Sequence, residues 1–278
     1  MATLTPSESQ PLLNDSNAPR NLTIATSDLS YAAPASRGRP GALLLRDVTL
    51  VVPRRGVLPV MGPSGSGKST LLEVLSGRRR GGFASGEALF GGWPLSAHRR
   101  GTVAFAPQDC ADLLDGGLTA RETLDFAAAL RMLGARTAAR AAQVDRVLDA
   151  LELSRCAASR CAVLSGGELR RVSIGEELVG SPAVLLCDEP TTGLDSATAL
   201  SALRVLAGLP AARDVTVAFS LHQPPYDAEV WLRVGRSAPT RVAATTFATA
   251  ALGYERFDRG ARVAGPNANV FDRTATCA

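Results

Sequence analysis

From Leu43 onward the chain alternates short apolar runs with stretches of helical spacing. Leu43 to Val52 is β-branched and Leu-rich and predicts a strand, closed by the turn residues Pro53-Arg54-Arg55-Gly56. Val57 to Met61 is a second apolar run. A glycine- and serine-rich stretch follows it, and then Leu71, Leu72, Val74 and Leu75 at helical spacing, so the order is strand, loop, helix. Thr119-x-x-Glu122 has the form of a capping box and predicts a helix running to about Met132. Val144, Val147, Leu148 and Leu151 recur at i, i+3, i+4 and i+7 and predict an amphipathic helix. Ser165-Gly166-Gly167-Glu168 is a second capping box, opening a helix through about Val179 that Gly180-Ser181-Pro182 stops. Ala183 to Cys187 and Val215 to Leu221 are apolar runs with the length of buried parallel strands. Ahead of this, residues 1–21 are rich in Ser, Pro, Asn and Thr and predict a disordered tail, and Arg37 to Gly41 predicts a loop between two early strands.

Composition narrows the class. The 278 residues are 46% apolar and 20% charged, enough for a substantial core in one large domain or two small ones. The net charge of +4 is too small and too dispersed to imply a nucleic-acid partner. Five cysteines, an odd number with no C-x-x-C pair, fit a reducing cytosolic setting better than a disulfide framework or a metal site. No apolar run reaches the ~18–20 residues that span a bilayer, so a membrane role requires a partner or a further segment. Of the 30 basic residues only Lys68 is a lysine. A chain that uses arginine everywhere else has kept a lysine at a position where the chemistry requires one.

That position is inside Gly62-Pro63-Ser64-Gly65-Ser66-Gly67-Lys68-Ser69-Thr70, a complete P-loop between a predicted strand and a predicted helix. Its glycines let backbone N–H groups curl round a phosphate at a helix N-terminus, where the dipole favours anions. Lys68 is a compact point charge that suits this cradle, whereas arginine's planar fork does not. The Ser69 hydroxyl is placed to reach Mg²⁺. Asp188, at the end of the apolar run Ala183–Cys187, has the Walker B arrangement of a carboxylate that holds Mg²⁺. Glu189, one residue on, can act as general base toward an attacking water. These two motifs define a nucleotide-binding P-loop protein without saying which kind.

Further motifs carry a resemblance to a family. Leu164-Ser165-Gly166-Gly167-Glu168-Leu169-Arg170-Arg171 resembles the signature motif of ATP-binding-cassette (ABC) ATPases. Gln108, in Ala106-Pro107-Gln108-Asp109, resembles the Q-loop, Gly193-Leu194-Asp195-Ser196 the D-loop, and His222, in Ser220-Leu221-His222-Gln223-Pro224, the switch histidine. Leu118 to Leu124, Arg171-Val172-Ser173-Ile174 and Leu252-Gly253-Tyr254 resemble the G subfamily, the white-type half-transporters. The resemblance covers roughly residues 22–258.

The resemblance implies an α/β fold. Its parts are a P-loop NTPase (RecA-like) core of mixed or parallel sheet, an N-terminal antiparallel β part and an inserted helical subdomain over about 115–180. In this reading a mixed sheet around residues 43–110 and 183–222 carries the P-loop and Asp188, while 1–21 is a tail and 259–278 a C-terminal linker or truncated end. The implied ligands are ATP and Mg²⁺, the metal being held by Ser69, Asp188 and Gln108. Glu189, His222 and Gln108 are the implied catalytic set, and Tyr31 is the candidate to stack on adenine. Ser165, Gly166, Gly167 and Glu168 would face the ATP of a second ABC subunit. Gly167 would keep the helix end bare, and the Ser165 hydroxyl would accept from the backbone and donate to a phosphate. Asp195 would lie at the same dimer seam.

The implied activity is ATP hydrolysis on the cytosolic face of a membrane. It would power export of a lipid-like or hydrophobic substrate through a transmembrane partner domain. A second possibility is an ATP-binding, weakly hydrolytic or truncated ABC module without transport activity. A nucleotide kinase has no use for the signature motif. Two features depart from the family pattern. Pro59 lies in the strand feeding the P-loop, where a central strand would lose a ladder donor. Leu232 to Ala244, after Trp231, is interrupted by Arg233, Gly235, Arg236, Pro239 and Arg241. The chain ends at Ala278, about where the family's linker to its first membrane helix would run.

Overall fold

A computed structural model describes residues 24–35, 41–52, 54–79, 82–91, 93–94 and 101–222. The expected tail over 1–21, the interrupted segment after Trp231 and the linker over 259–278 lie outside the described residues. In chain order the elements are β1 (Ile24–Ala32), β2 (Leu43–Val52), β3 (Val57–Met61), α1 (Lys68–Leu75), β4 (Phe83–Phe90), β5 (Trp93–Pro94) and β6 (Val103–Ala106). They continue with α2 (Ala120–Arg131), α3 (Thr137–Ala150), α4 (Gly166–Leu178), β7 (Val184–Cys187), α5 (Ser196–Arg213) and β8 (Thr216–Leu221).

Among the described residues the strands form two sheets, the antiparallel part and the core that the resemblance implied, and not a single mixed sheet over 43–110 and 183–222. β2-β1-β4-β5 is antiparallel, and β3-β8-β7-β6 is wholly parallel. The run 43–52 therefore belongs to the antiparallel sheet and not to the strands that carry the P-loop. The parallel strands are covered on both faces, which is why they are continuous apolar runs. Val184 and Leu186 point toward α1 and the antiparallel sheet, and Leu185 and Cys187 toward α5 and the other helices. Each fully buried Leu, Ile or Phe in these layers contributes about 1.5–3 kcal/mol of transfer free energy.

Pro59 fits for a reason the sequence alone conceals. The Val217 N–H donates to the Gly56 carbonyl at 3.0 Å. Backbone groups alternate along a strand, so Leu58 and Val60 face β8 and Pro59 faces the other way. Among the described residues β3 is the outer strand of its sheet, and the missing donor costs no bond to β8.

α2, α3 and α4 pack on one another as a helical layer, with Leu124, Leu148, Leu151 and Ile174 buried between them. Both capping boxes are formed: Thr119 with Glu122 opens α2, and Ser165 with Glu168 opens α4. Two polar links tie this layer to the parallel core. The Glu177 carboxylate on α4 takes Arg131 of α2 at 2.7 Å and Arg78, just beyond α1, at 3.5 Å. Buried Arg170, also on α4, donates to the backbone carbonyls of Pro107 and Gln108 beyond β6. A third link closes the far end of the core. Asp214 follows α5 in the left-handed region at φ 53° and receives Arg54 and Arg55, each at 2.6 Å.

Candidate active site at the end of the parallel sheet

The phosphate loop runs from the end of β3 into the first turn of α1. Gly65 (φ 78°) and Gly67 (φ 92°) adopt left-handed conformations that L side chains avoid, and this turns the loop round so that α1 begins at Lys68. Lys68 is 4% exposed, and its Nζ donates to the carbonyls of Gly62 at 2.9 Å and Pro63 at 3.0 Å. The Ser69 hydroxyl donates to Asp188 Oδ1 at 2.9 Å. Among the described residues Ser66 Oγ is buried without a hydrogen-bond partner, and none beyond its chain neighbours comes within 4 Å of the place where Gly65 would carry a Cβ.

Asp188 follows β7 directly, and its N–H donates to the Ala106 carbonyl of β6 at 2.9 Å. This pairing brings Gln108, two residues further on, to the same end of the sheet. Glu189 sits in the left-handed region at φ 43°. Its Oε1 lies 4.0 Å from Lys68 Nζ, and its Oε2 accepts from Thr192 Oγ1 at 2.8 Å. His222, one residue past β8, places Nε2 at 2.5 Å from Ser64 Oγ of the loop. Lys68, Ser69, Ser64, Asp188, Glu189 and His222 thus form one cluster although they come from distant parts of the chain. Thr70 lies beside it in the first turn of α1.

Two expectations are corrected. Tyr31 is only 3% exposed on the inner face of β1, and the Arg79 guanidinium lies over its ring at 5.4 Å from the centroid. A ring so enclosed offers no face to adenine. The signal was present in the alternation, since Tyr31 follows buried Leu29 by two residues. Ser165 also differs: its hydroxyl, which has a single hydrogen, donates to Glu168 Oε2 at 2.7 Å while accepting from the Glu168 N–H at 3.3 Å. In this conformation the proton is spent within the capping box. These bonds hold the Glu168 carboxyl below its ordinary pKa.

Among the described residues no hydrogen bond links Ser165–Glu168 to the phosphate loop. Ser165 and Gly166 are exposed, whereas Gly167 is buried. A Cβ on Gly167 would fall 2.2 Å from Thr198 Cγ2, and one on Gly166 would fall 3.2 Å from Leu194 Cδ2. The glycine pair therefore packs against the segment that opens α5. Asp195 is exposed and caps that helix, accepting from the N–H groups of Ala197 and Thr198, both at 3.0 Å, and its carboxyl pKa is lowered chiefly by Thr198. Sequence reasoning missed Arg170, Thr192, Thr198 and Ser220, which lie beside motif residues without belonging to a quoted role.

A P-loop after β3, Walker B carboxylates after β7 two strands away in the same parallel sheet, and a capped signature helix define an ABC-type ATPase domain. Comparison with known proteins agrees. The family model for the ABC transporter matches residues 45–192, and the chain belongs to that family. Curated relatives that it matches include G-family members. Rat broad substrate specificity ATP-binding cassette transporter ABCG2 is 38% identical over 66% of this chain. ABC transporter G family member 22 of Dictyostelium discoideum is 35% identical over 74% of it, and member 14 of Arabidopsis thaliana 42% identical over 65%. The chain spans 28%, 34% and 28% of those relatives' respective lengths. In fold it is similar to CbiO1 from Clostridium perfringens, part of the ABC transporter complex CbiONQ, with a TM-score of 0.62 and 23% identity. That match covers 73% of this chain and 79% of the other. No helix among the described residues is long and apolar enough to cross a membrane.

Proposed function

We propose that the chain binds ATP with Mg²⁺ and hydrolyses it on the cytosolic face of a membrane, powering a transmembrane partner that exports a lipid-like or hydrophobic substrate. The observation that carries this reading is the gathering of Lys68, Ser69, Asp188, Glu189 and His222 at one end of the parallel sheet. The residues present fit the ligands. The orphaned Ser66 hydroxyl, the open space at Gly65 and the buried Lys68 ammonium suit a phosphate chain. Ser69 and Asp188 offer hard oxygens of the kind Mg²⁺ prefers, completed by phosphate and water rather than by an all-protein cage. Ser69, Asp188 and Gln108 would hold the ion, which when bound neutralises charge on the phosphate oxygens.

The chain's own groups then divide the work. Backbone N–H groups of the loop and Lys68 bind the phosphates. Glu189 takes the proton of the attacking water, with its carboxylate kept in place by the Thr192 hydroxyl and by Lys68. His222, anchored on Ser64, lies where it can orient the terminal phosphate and the water. Ser165, Gly166 and Asp195 are exposed, as residues that meet a second ABC subunit would be. Phe126, Leu130 and Leu133 are 63%, 60% and 84% exposed at one-face spacing on and just beyond α2, a row that suits docking of a membrane domain.

The test is a pair of variants. Lys68→Ala is expected to abolish nucleotide binding, and Glu189→Gln to retain binding and lose hydrolysis. Unchanged nucleotide affinity in Lys68→Ala would sink the assignment. Equal and very slow turnover in wild type and Glu189→Gln would favour the weakly hydrolytic module.

A further inference from the structure

Ser220 touches both carboxylate-bearing residues of the site from a strand that neither belongs to. It is 0% exposed on β8, with Oγ at 2.6 Å from Asp188 Oδ1 and 2.7 Å from Glu189 N. The direction of both bonds is fixed by chemistry. A backbone N–H can only donate, so Ser220 Oγ accepts from Glu189 and its one hydrogen goes to Asp188. Asp188 Oδ1 also receives the Ser69 hydroxyl at 2.9 Å. One carboxylate oxygen is thus gripped by two hydroxyls, one from the phosphate-loop helix and one from β8.

The second bond bears on Glu189. Its φ of 43° lies in a region that a glutamate seldom occupies, and the N–H bond to a fully buried hydroxyl holds the backbone there. Ser220 and His222 are two residues apart at the end of β8, so they lie on the same side. There Ser220 reaches the carboxylates while His222 reaches Ser64.

We propose that Ser220 is a positioning residue that sets Asp188 and Glu189 in one frame relative to the phosphate loop. The proposal rests on the ATPase reading above and adds to it a residue that acts through the two carboxylates. Substitution should therefore separate metal-dependent properties from nucleotide binding as such.

The experiment uses the full 278-residue chain. Ser220→Ala and Ser220→Cys are compared with wild type and with Thr216→Val. That control removes the hydroxyl at the other end of β8, which accepts from the Arg55 N–H at 3.0 Å. The readouts are affinity for a fluorescent ATP analogue in EDTA, Mn²⁺ affinity of the analogue-bound protein by electron paramagnetic resonance, melting temperature, and kcat and KM for ATP. In a Ser220 variant, Mn²⁺ affinity and kcat are expected to fall by about 10- to 100-fold, the range for residues that support metal ligands. Metal-free analogue affinity and KM should stay near wild type, and Thr216→Val should leave analogue affinity, Mn²⁺ affinity, kcat and KM unchanged. Each position is a buried hydroxyl that accepts a backbone N–H, so the melting temperature should fall to a similar extent in the Ser220 and Thr216 variants. This selective loss in either Ser220 variant supports the proposal. Wild-type Mn²⁺ affinity and kcat in both variants, or joint loss of metal-free binding with them in both, overturns it. A wild-type chain that does not bind the analogue overturns the ATPase reading instead.

Discussion

Gly167 is required by its own chain before any partner arrives. Its missing Cβ leaves room for Thr198 Cγ2, which would lie 2.2 Å from a methyl placed there. Gly167→Ala should therefore destabilise the isolated protein by about 1–3 kcal/mol, as overpacking does. Adding Thr198→Ser removes the clashing methyl, keeps the hydroxyl beside Asp195, and should recover most of the loss in a denaturant melt. If the double variant melts no better than Gly167→Ala alone, the packing explanation fails. The sequence makes Gly167 conspicuous but does not reveal Thr198 as its neighbour within the chain, because a glycine in a motif does not disclose what occupies the space it leaves. Tyr31 fails in the opposite sense. An aromatic near the chain start suggested a stacking surface, and strand alternation had already turned it inward.

At the scale of elements, the signature helix is held at its start by a capping box whose acid member titrates. The Ser165 hydroxyl and N–H stabilise the ionised Glu168 carboxylate and lower its pKa. A lowered folded-state pKa gives stability that is complete above the ordinary glutamate value of about 4.3 and is lost as pH falls through the lowered one. Glu168→Gln can form the same box and does not titrate. The melting-temperature advantage of wild type over Glu168→Gln should be constant near neutrality and shrink below about pH 4. An advantage that stays constant down to pH 3 would count against the capping carboxylate as its source. Both caps were legible because S/T-x-x-E states its own geometry, and the buried strands because continuous apolar runs permit little else. α5 was not legible: Leu203, Val205, Leu206, Ala207 and Leu209 are buried over much of its circumference, and Pro210 lies within it. Which sheet the run 43–52 joins was also hidden, since strand pairing is decided by contacts far apart in sequence. Within the site the motif residues could be read directly, while Ser220 could not, because a serine in an apolar strand carries no mark of the acids it meets.

At the scale of the molecule, exposed Ser165 and Asp195 make no hydrogen bond to the chain's own phosphate loop among the described residues. Hydrolysis should therefore depend on a second subunit. Specific activity is expected to rise with enzyme concentration, as for an association in the micromolar range or weaker, about −8 kcal/mol or less favourable. Ser165→Arg should abolish turnover without weakening ATP binding to the monomer. Flat specific activity over about a hundredfold dilution, in protein shown to be monomeric by sedimentation, would refute the shared site. The contact of Gly166 and Gly167 with Leu194 and Thr198 then acquires a mechanical meaning. The start of the signature helix and the start of α5 are locked flank to flank, so each subunit would offer its mate a single stiff edge in place of two separately adjustable loops. In a two-fold pair that edge would remove a degree of freedom: one pocket could not tighten its grip without carrying along the lip of the other, and the two would open and shut in step.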